Sequence, residues 1–131
     1  MRWYLDTSAA LKLLLDEAES TALVELVAQQ APELVSSVLL ETELRLAARR
    51  SGVLRQAAVT SFLEGLPLYE LPRSLFVEAG VLCAEELRLV DAMHVVAALR
   101  CGAACLVTYD QRLATAARSL GLSVLTPVAR A

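Results

Sequence analysis

Four acidic side chains stand at positions where a carboxylate is out of place, and together they suggest metal chemistry. Asp6 ends the apolar start of the chain, Asp110 ends a second apolar run at residues 104–109, and Asp91 opens an apolar helix. Glu43 lies inside another helix, with apolar residues one turn away on either side. A buried carboxylate without a partner is costly, so it is paired, protonated or bound to a cation. If the four converge, a hard divalent ion with oxygen ligands is the natural solution.

Four such acids support metal-assisted hydrolysis, in which Mg²⁺ or Mn²⁺ activates a water and polarises a phosphoryl oxygen. The chain has one histidine, which excludes a His–His acid–base pair. It has neither a GxSxG nor a GxxxxGK[ST] motif, so a serine hydrolase or a P-loop enzyme is not indicated. Helix capping is the alternative explanation for each aspartate, but the mid-helix Glu43 cannot be a cap.

Several residues beside the acids are candidates for supporting roles. Thr7, Ser8 and Thr108 carry hydroxyls that either orient water at a metal or cap helices and turns. His94 shares a helical face with Asp91 and either bonds a site carboxylate or a phosphate, or is a structural histidine.

Arginine dominates the basic residues, with 11 of the 12. Arg112 is a candidate contact for a substrate phosphate, as are Arg45 and Arg49, and an ordinary surface role is open for each. The net charge is −3, but without the four candidate acids 11 acidic residues remain against 12 basic ones. The rest of the protein is therefore close to neutral.

Composition limits the class of protein. The 131 residues are 56% hydrophobic, with a mean hydropathy of +0.53. No stretch approaches the roughly 18 consecutive apolar residues of a membrane-spanning helix, and Asp6 interrupts the start too early for a signal peptide. We therefore expect a cytoplasmic protein without a membrane partner. Three cysteines without a CxxC pair favour buried thiols over a zinc site.

The order of predicted elements alternates between strands and helices. Predicted strands cover residues 2–5, 34–36, 66–71, 104–108 and 124–125. Predicted helices cover residues 7–15, 19–30, 38–50, 54–64, 74–87, 91–102 and 110–120. In the helix of residues 74–87, the side chains predicted to face inward are Phe76, Val77, Val81 and Ala84. Continuous apolar strands of this kind favour a parallel sheet covered by helices on both faces. The carboxyl ends of its strands meet at one edge, which brings Asp6 and Asp110 together.

The four acidic segments together resemble the PIN-domain ribonucleases, specifically the VapC toxins of bacterial toxin–antitoxin pairs. The matching segments are residues 4–13, 37–44, 89–95 and 106–113, followed by 116–122. The resemblance implies a three-layer α/β/α PIN-like fold with a central parallel sheet of four to five strands, and a single PIN-like domain over residues 1–131. It also implies a metal-dependent endoribonuclease that uses Mg²⁺ or Mn²⁺. The residues that match the acidic quartet of the family are Asp6, Glu43, Asp91 and Asp110.

The same resemblance implies partners. We expect a homodimer that a cognate VapB-type antitoxin silences, and an RNA substrate that is unpaired, because the bases of an A-form duplex are hard to reach. The alternative is a catalytically silent PIN-like module that binds RNA or protein, and a purely structural α/β domain is the remaining possibility. Haloacid-type phosphatases are excluded because Ser8 stands where they need a second aspartate. Response-regulator receivers are excluded because the only lysine is Lys12.

Overall fold

The computed structural model describes residues 1–83 and 87–129. Its strands are β1 (Arg2–Leu5), β2 (Glu33–Ser37), β3 (Leu68–Tyr69), β4 (Cys105–Val107) and β5 (Val124–Leu125). Its helices are α1 (Thr7–Leu14), α2 (Ser20–Gln30), α3 (Leu39–Ser51), α4 (Gln56–Glu64), α5 (Arg73–Leu82), α6 (Leu89–Arg100) and α7 (Gln111–Ser119). The predicted alternation of strands and helices is therefore present.

The five strands form one parallel sheet in the order β3-β2-β1-β4-β5. Strand β1 lies in the centre, where Trp3 pairs with Leu34 of β2 on one side and with Cys105 of β4 on the other. Successive side chains of β1 point to opposite faces of the sheet. Every strand of a parallel sheet ends at the same edge, so the loops that follow β1, β2 and β4 all emerge there.

Helices cover both faces of the sheet, which confirms the predicted three-layer α/β/α fold. Trp3 and Leu5 pack in a cluster with Ala9 of α1 and Leu23 of α2. Tyr4 points the other way, into the largest cluster, which α5, α6 and α7 cover. Helix α6 is buried along its whole middle, from Ala92 to Ala98. The side chains of Leu40, Leu44 and Ala48 on α3 form a third cluster with α1 and α4.

Helix α5 differs from its prediction. It ends at Leu82 instead of residue 87, and it buries Leu75 and Ala79. The residues predicted to face inward, Phe76, Val77 and Val81, are 48%, 61% and 80% exposed. Ala84, predicted to face inward with them, lies outside the described residues. The helix is apolar on more than one side, and its packing against α6 decides which side is buried.

Two other boundaries also differ. Strand β3 has two residues, whereas the prediction spanned residues 66–71, because prolines flank the segment and proline cannot donate to a strand ladder. Helix α6 begins at Leu89, so Asp91 lies within its first turn.

Cys101 and Cys105 are buried as expected, but Cys83 is exposed. None of the helices in the described part of the chain combines the length and apolar character that a membrane crossing requires.

The α3 cluster yields a stability test with a matched control. We expect Leu44→Ala to lower the free energy of unfolding by about 2–5 kcal/mol, because Leu44 is fully buried between helices. Leu46 lies two residues away and is 44% exposed, so Leu46→Ala should cost less than about 1 kcal/mol. Urea denaturation of both variants measures the difference, and equal costs would contradict the packing described.

Candidate active site

The acids lie around the carboxyl edge of the sheet. The chain runs from β1 outward to β2 and β3, and then crosses back to the other side of β1 to form β4. The reversal between β1 and β4 is the kind of point where open α/β sheets bind ligands. Asp6 directly follows β1, and Asp110 lies three residues after β4. Glu43 comes from α3, which follows β2, and Asp91 comes from α6.

Asp6 is held by three hydrogen bonds in a nearly closed environment. It is 4% exposed. Its Oδ1 accepts from the Ala9 backbone N–H at 2.9 Å and from the Ser8 hydroxyl at 2.7 Å. Its Oδ2 accepts from the Thr108 hydroxyl at 2.5 Å. Burial raises the pKa of the Asp6 carboxyl, and these hydrogen bonds act against that rise.

The hydroxyls of Ser8 and Thr108 bind the two strand ends together. Ser8 Oγ accepts from the Tyr109 backbone N–H at 2.8 Å, and Thr108 Oγ1 accepts from the Asp110 backbone N–H at 3.0 Å. Both hydroxyls thus donate to Asp6 and accept from the segment after β4. The predicted supporting position of Ser8 and Thr108 is therefore present. Asp6, and neither Thr7 nor Ser8, caps α1.

Asp110 caps α7 with one of its oxygens. Its Oδ1 accepts from the backbone N–H groups of Arg112 and Leu113, at 2.9 and 3.3 Å. The capping explanation is thus correct for Asp6 and Asp110, but it uses only part of each carboxylate. A helix N-terminus favours a negative charge nearby, which suits a carboxylate at the start of α7.

Glu43 is held through one oxygen by two donors. Its Oε1 accepts from the Thr7 hydroxyl at 2.6 Å and lies 2.5 Å from Nε2 of His94. Because an ionised carboxylate only accepts, Nε2 carries the proton in this contact. Burial acts to raise the pKa of Glu43, but the His94 and Thr7 hydrogen bonds outweigh it and hold the pKa below its ordinary value. The Glu43 side chain is 30% exposed, so it lies at the rim of the apolar stripe instead of inside it.

His94 bonds a site carboxylate, which was one of its two predicted roles. Its ring is 2% exposed, and Nδ1 lies 2.8 Å from the hydroxyl of Tyr4. Tyr4 in turn donates to Ser37 at 2.8 Å. A continuous chain of hydrogen bonds therefore runs from the buried face of the sheet to Glu43. The sequence analysis did not identify Tyr4 or Ser37 here, although a tyrosine buried in a strand needs a partner for its hydroxyl.

Asp91 carries the least satisfied carboxylate of the four. Its side chain is 14% exposed, and Oδ2 is buried without a hydrogen-bond partner among the described residues. The guanidinium of Arg88 is 3.7 Å away, which is an ion pair and too long for a hydrogen bond. Burial and the charge of Asp110 raise the pKa of Asp91, with a smaller contribution from Glu43. The charges of these three acids therefore act on one another at close range.

The donor set suits a hard cation. Four carboxylates, including that of Asp91 with its buried oxygen, are oxygen donors of the kind that Mg²⁺ and Mn²⁺ prefer. Within residues 1–83 and 87–129, no three His, Cys, Asp or Glu side chains are drawn together into a ready-made metal site. Mg²⁺ keeps several waters and needs only one or two direct carboxylate ligands.

The candidate arginines differ from one another. Arg45 donates to Glu41 at 2.8 Å and to Gln56 and Thr60, so its Nε and Nη1 groups already have partners. Arg49 and Arg112 are exposed, and Arg112 adjoins the acids through its backbone contact with Asp110.

Comparison with known proteins gives consistent results along the whole chain. The model of the PIN domain family matches residues 3–119. The chain is 37% identical over 126 residues to Ribonuclease VapC46 of Mycobacterium tuberculosis, covering 95% of this chain and 96% of that protein. It is 36% identical over 129 residues to Ribonuclease VapC35 of the same species, with the same coverage.

Solved structures share the fold. A crystal structure of VapBC2 from Rickettsia felis bound to a promoter DNA fragment contains a chain that matches with a TM-score of 0.68 and 17% identity, covering 95% of this chain and 98% of that one. VapC20 of Mycobacterium tuberculosis, described as a sarcin-ricin loop cleaving toxin, matches with a TM-score of 0.71 and 20% identity, covering 87% and 94%. At these identities the likeness shows the architecture alone.

Burial and the repulsion of Asp91 by neighbouring acids predict that removing its charge stabilises the protein, to an extent that depends on pH. Folding raises the pKa of the Asp91 carboxyl. The protein therefore loses stability as the pH rises from the ordinary pKa of an aspartate through this raised pKa. We therefore expect Asp91→Asn to raise the urea midpoint at about pH 7.5 in EDTA, and the gain to shrink as the pH falls and the wild-type acid protonates. The exposed Asp16→Asn variant is the control. A lower midpoint at about pH 7.5 would contradict the repulsion described.

Proposed function

This chain belongs to the PIN domain family, and we propose that it is an endoribonuclease of the VapC type that hydrolyses RNA phosphodiesters with the help of a divalent ion. The family match and the VapC relatives at 36–37% identity support the ribonuclease activity. The observation that carries the site assignment is the gathering of acids around the reversal point of the sheet, with a buried oxygen of Asp91 left unsatisfied. The proposed metal-binding and catalytic residues are Asp6, Glu43, Asp91 and Asp110.

The residues of the chain prepare this site in distinct ways. Thr108 and Ser8 fix the orientation of Asp6, while His94 and Thr7 fix one oxygen of Glu43. The lowered pKa keeps Glu43 ionised at neutral pH, as a ligand or a proton acceptor must be. A bound Mg²⁺ or Mn²⁺ would neutralise charge on the phosphoryl group and lower the pKa of water. Arg112, exposed beside Asp110, is the proposed contact to a substrate phosphate.

The substrate and partners follow from the family. We propose that the target is unpaired RNA, that a VapB-type antitoxin silences the enzyme in the cytoplasm, and that the protein forms a homodimer. The exposed apolar side chains of α5 (Phe76, Val77 and Val81) support the presence of a protein partner. We also propose that residues 1–131 are one PIN domain, because β5 lies beyond the family match at residues 3–119 and still pairs with β4.

The proposed role of Asp6 predicts that Asp6→Asn abolishes cleavage, with a loss of at least about 100-fold, while the fold stays intact. Asparagine caps a helix as well as aspartate does, so the start of α1 is preserved. Sequencing of RNA ends after induced expression measures cleavage in the cell, and near-UV circular dichroism of the purified variant checks the fold. Asp16→Asn, an exposed aspartate outside the site, should cleave like the wild type. Undiminished cleavage by Asp6→Asn would exclude its proposed role.

The metal requirement predicts that EDTA stops RNA cleavage by the purified enzyme and that added Mg²⁺ or Mn²⁺ restores it. Calorimetric titration with Mn²⁺ should show binding to the wild type and much weaker binding to Asp6→Asn. Cleavage that survives chelation would require another mechanism. Binding of Mn²⁺ without cleavage of any RNA would instead favour a silent PIN-like binding module.

A further inference from the structure

A groove of about 440 Å³ opens beside Glu43 on the surface of α3. Its lining residues are Thr7, Glu43, Leu46, Ala47, Arg50 and Ser51. We infer that this groove, called the α3 groove below, binds the nucleotide of single-stranded RNA next to the phosphodiester that is cut, with Arg50 on the following phosphate. This inference rests on the proposed function. The volume of the α3 groove lies within the range of small-ligand sites, about 300–1,000 Å³.

One helical stripe builds the floor of the α3 groove. Glu43, Leu46, Ala47 and Arg50 recur at the spacing that places side chains on one face of a helix. The stripe changes in character along its length, from a carboxylate through two apolar side chains to a guanidinium. Glu43 and Arg50 are seven residues apart, which is about 10 Å along the helix axis. A nucleotide offers a corresponding order: a phosphate that the proposed divalent ion beside Glu43 would hold, an apolar ring face, and a second phosphate for Arg50.

The apolar middle of the groove is open to a ligand. Leu46 is 44% exposed, although its neighbours Leu44 and Ala48 on the same helix are buried. Ala47 beside it is half-buried and small. Together they form a shallow apolar surface against which a base or ribose can pack.

Apart from Arg50 and the second oxygen of Glu43, the polar groups at both ends of the groove have partners within the described part of the chain. Thr7 donates to Glu43 at one end. At the other end, Ser51 donates to the Ala48 carbonyl and accepts from the Leu54 backbone N–H, so it holds the chain after α3 in place. Arg50 is exposed and makes no ion pair within residues 1–83 and 87–129. Its guanidinium is therefore the positively charged group of the groove that a ligand can engage.

Arg50 also differs from the other arginines of α3. Arg45 is tied to Glu41 and to Thr60. Arg49 is exposed at the same end of the helix but does not line the groove. The helix dipole favours both Arg49 and Arg50 equally, so it does not explain a difference between them. A planar guanidinium suits the two oxygens of a phosphate, and its positive charge offsets the acids nearby.

Arg50→Ala tests the inference, with Arg49→Ala as the matched control. Both changes are made in the Asp6→Asn background, and binding of a fluorescein-labelled, mixed-sequence, 12-nucleotide single-stranded RNA is followed by fluorescence anisotropy in Mg²⁺ across a range of KCl concentrations. Loss of one phosphate contact on a single strand should lower the slope of log affinity against log salt by about 0.7. We expect Arg50→Ala to weaken binding about 3- to 10-fold with this change in slope, and Arg49→Ala to change neither.

Two further variants separate the charge from the shape of the groove. Arg50→Lys keeps the positive charge and should keep most of the salt dependence. Ala47→Phe fills the apolar middle, so it should weaken RNA binding without changing the slope. In the enzyme with Asp6 intact, Arg50→Ala should raise KM with little change in kcat, because the contact lies away from the phosphate that reacts.

Several outcomes would overturn the inference. Binding and slope that are unchanged in Arg50→Ala, or changed equally in Arg49→Ala, would show that the α3 groove does not hold RNA. Unchanged RNA binding with weakened antitoxin binding would assign the groove to a protein segment instead. A wild-type protein that neither binds nor cuts RNA would overturn the proposed function itself, whereas normal cleavage with an unchanged KM in Arg50→Ala would overturn only the inference.

Discussion

The requirement to place four carboxylates around one edge of a sheet shapes the rest of this structure. Each charge is costly to bury, and each raises the cost of the others. The protein offsets these costs with donors that touch only part of each acid. Thr108 and Ser8 serve Asp6, a helix N-terminus serves Asp110, and His94 with Thr7 serves Glu43. Asp91 keeps a buried oxygen that accepts no hydrogen bond from residues 1–83 and 87–129 and has only a distant ion pair with Arg88, at 3.7 Å. Such residual strain is what a cation would relieve.

The topology explains how distant segments supply these groups. Strand β1 is central, and the chain crosses it between β3 and β4, so the loops after β1 and β4 meet at one edge. Helix α6 packs on the sheet through small side chains such as Ala92, Ala97 and Ala98. Their size allows the helix to approach closely, which brings His94 under Tyr4 and within reach of Glu43. The core packing and the site geometry thus depend on the same contacts.

Sequence patterns were sufficient for the order of strands and helices, and the parallel three-layer fold follows from it. They were less informative where a helix has more than one apolar face and packing decides which face is buried. Helix α5 is apolar on several sides, so its pattern did not predict that Leu75 is buried while Val81 is exposed. The two roles open to His94 were separated by its contact with Glu43, a residue 51 positions away. The roles of the four acids remain predictions, which the geometry supports through their shared edge.

The pairing of the first and fourth strands has a consequence for biosynthesis. The hydroxyl that bonds Asp6 belongs to Thr108, which lies 102 positions later. Strand β1 cannot pair with β4 until β4 has been synthesised. Closing so long a loop comes late in folding, because its entropic cost must be met before the contacts form. A nascent chain on the ribosome therefore cannot assemble the sheet edge that carries the acids until β4 has emerged. RNA near the ribosome is thus exposed to a finished edge only after β4 has been synthesised.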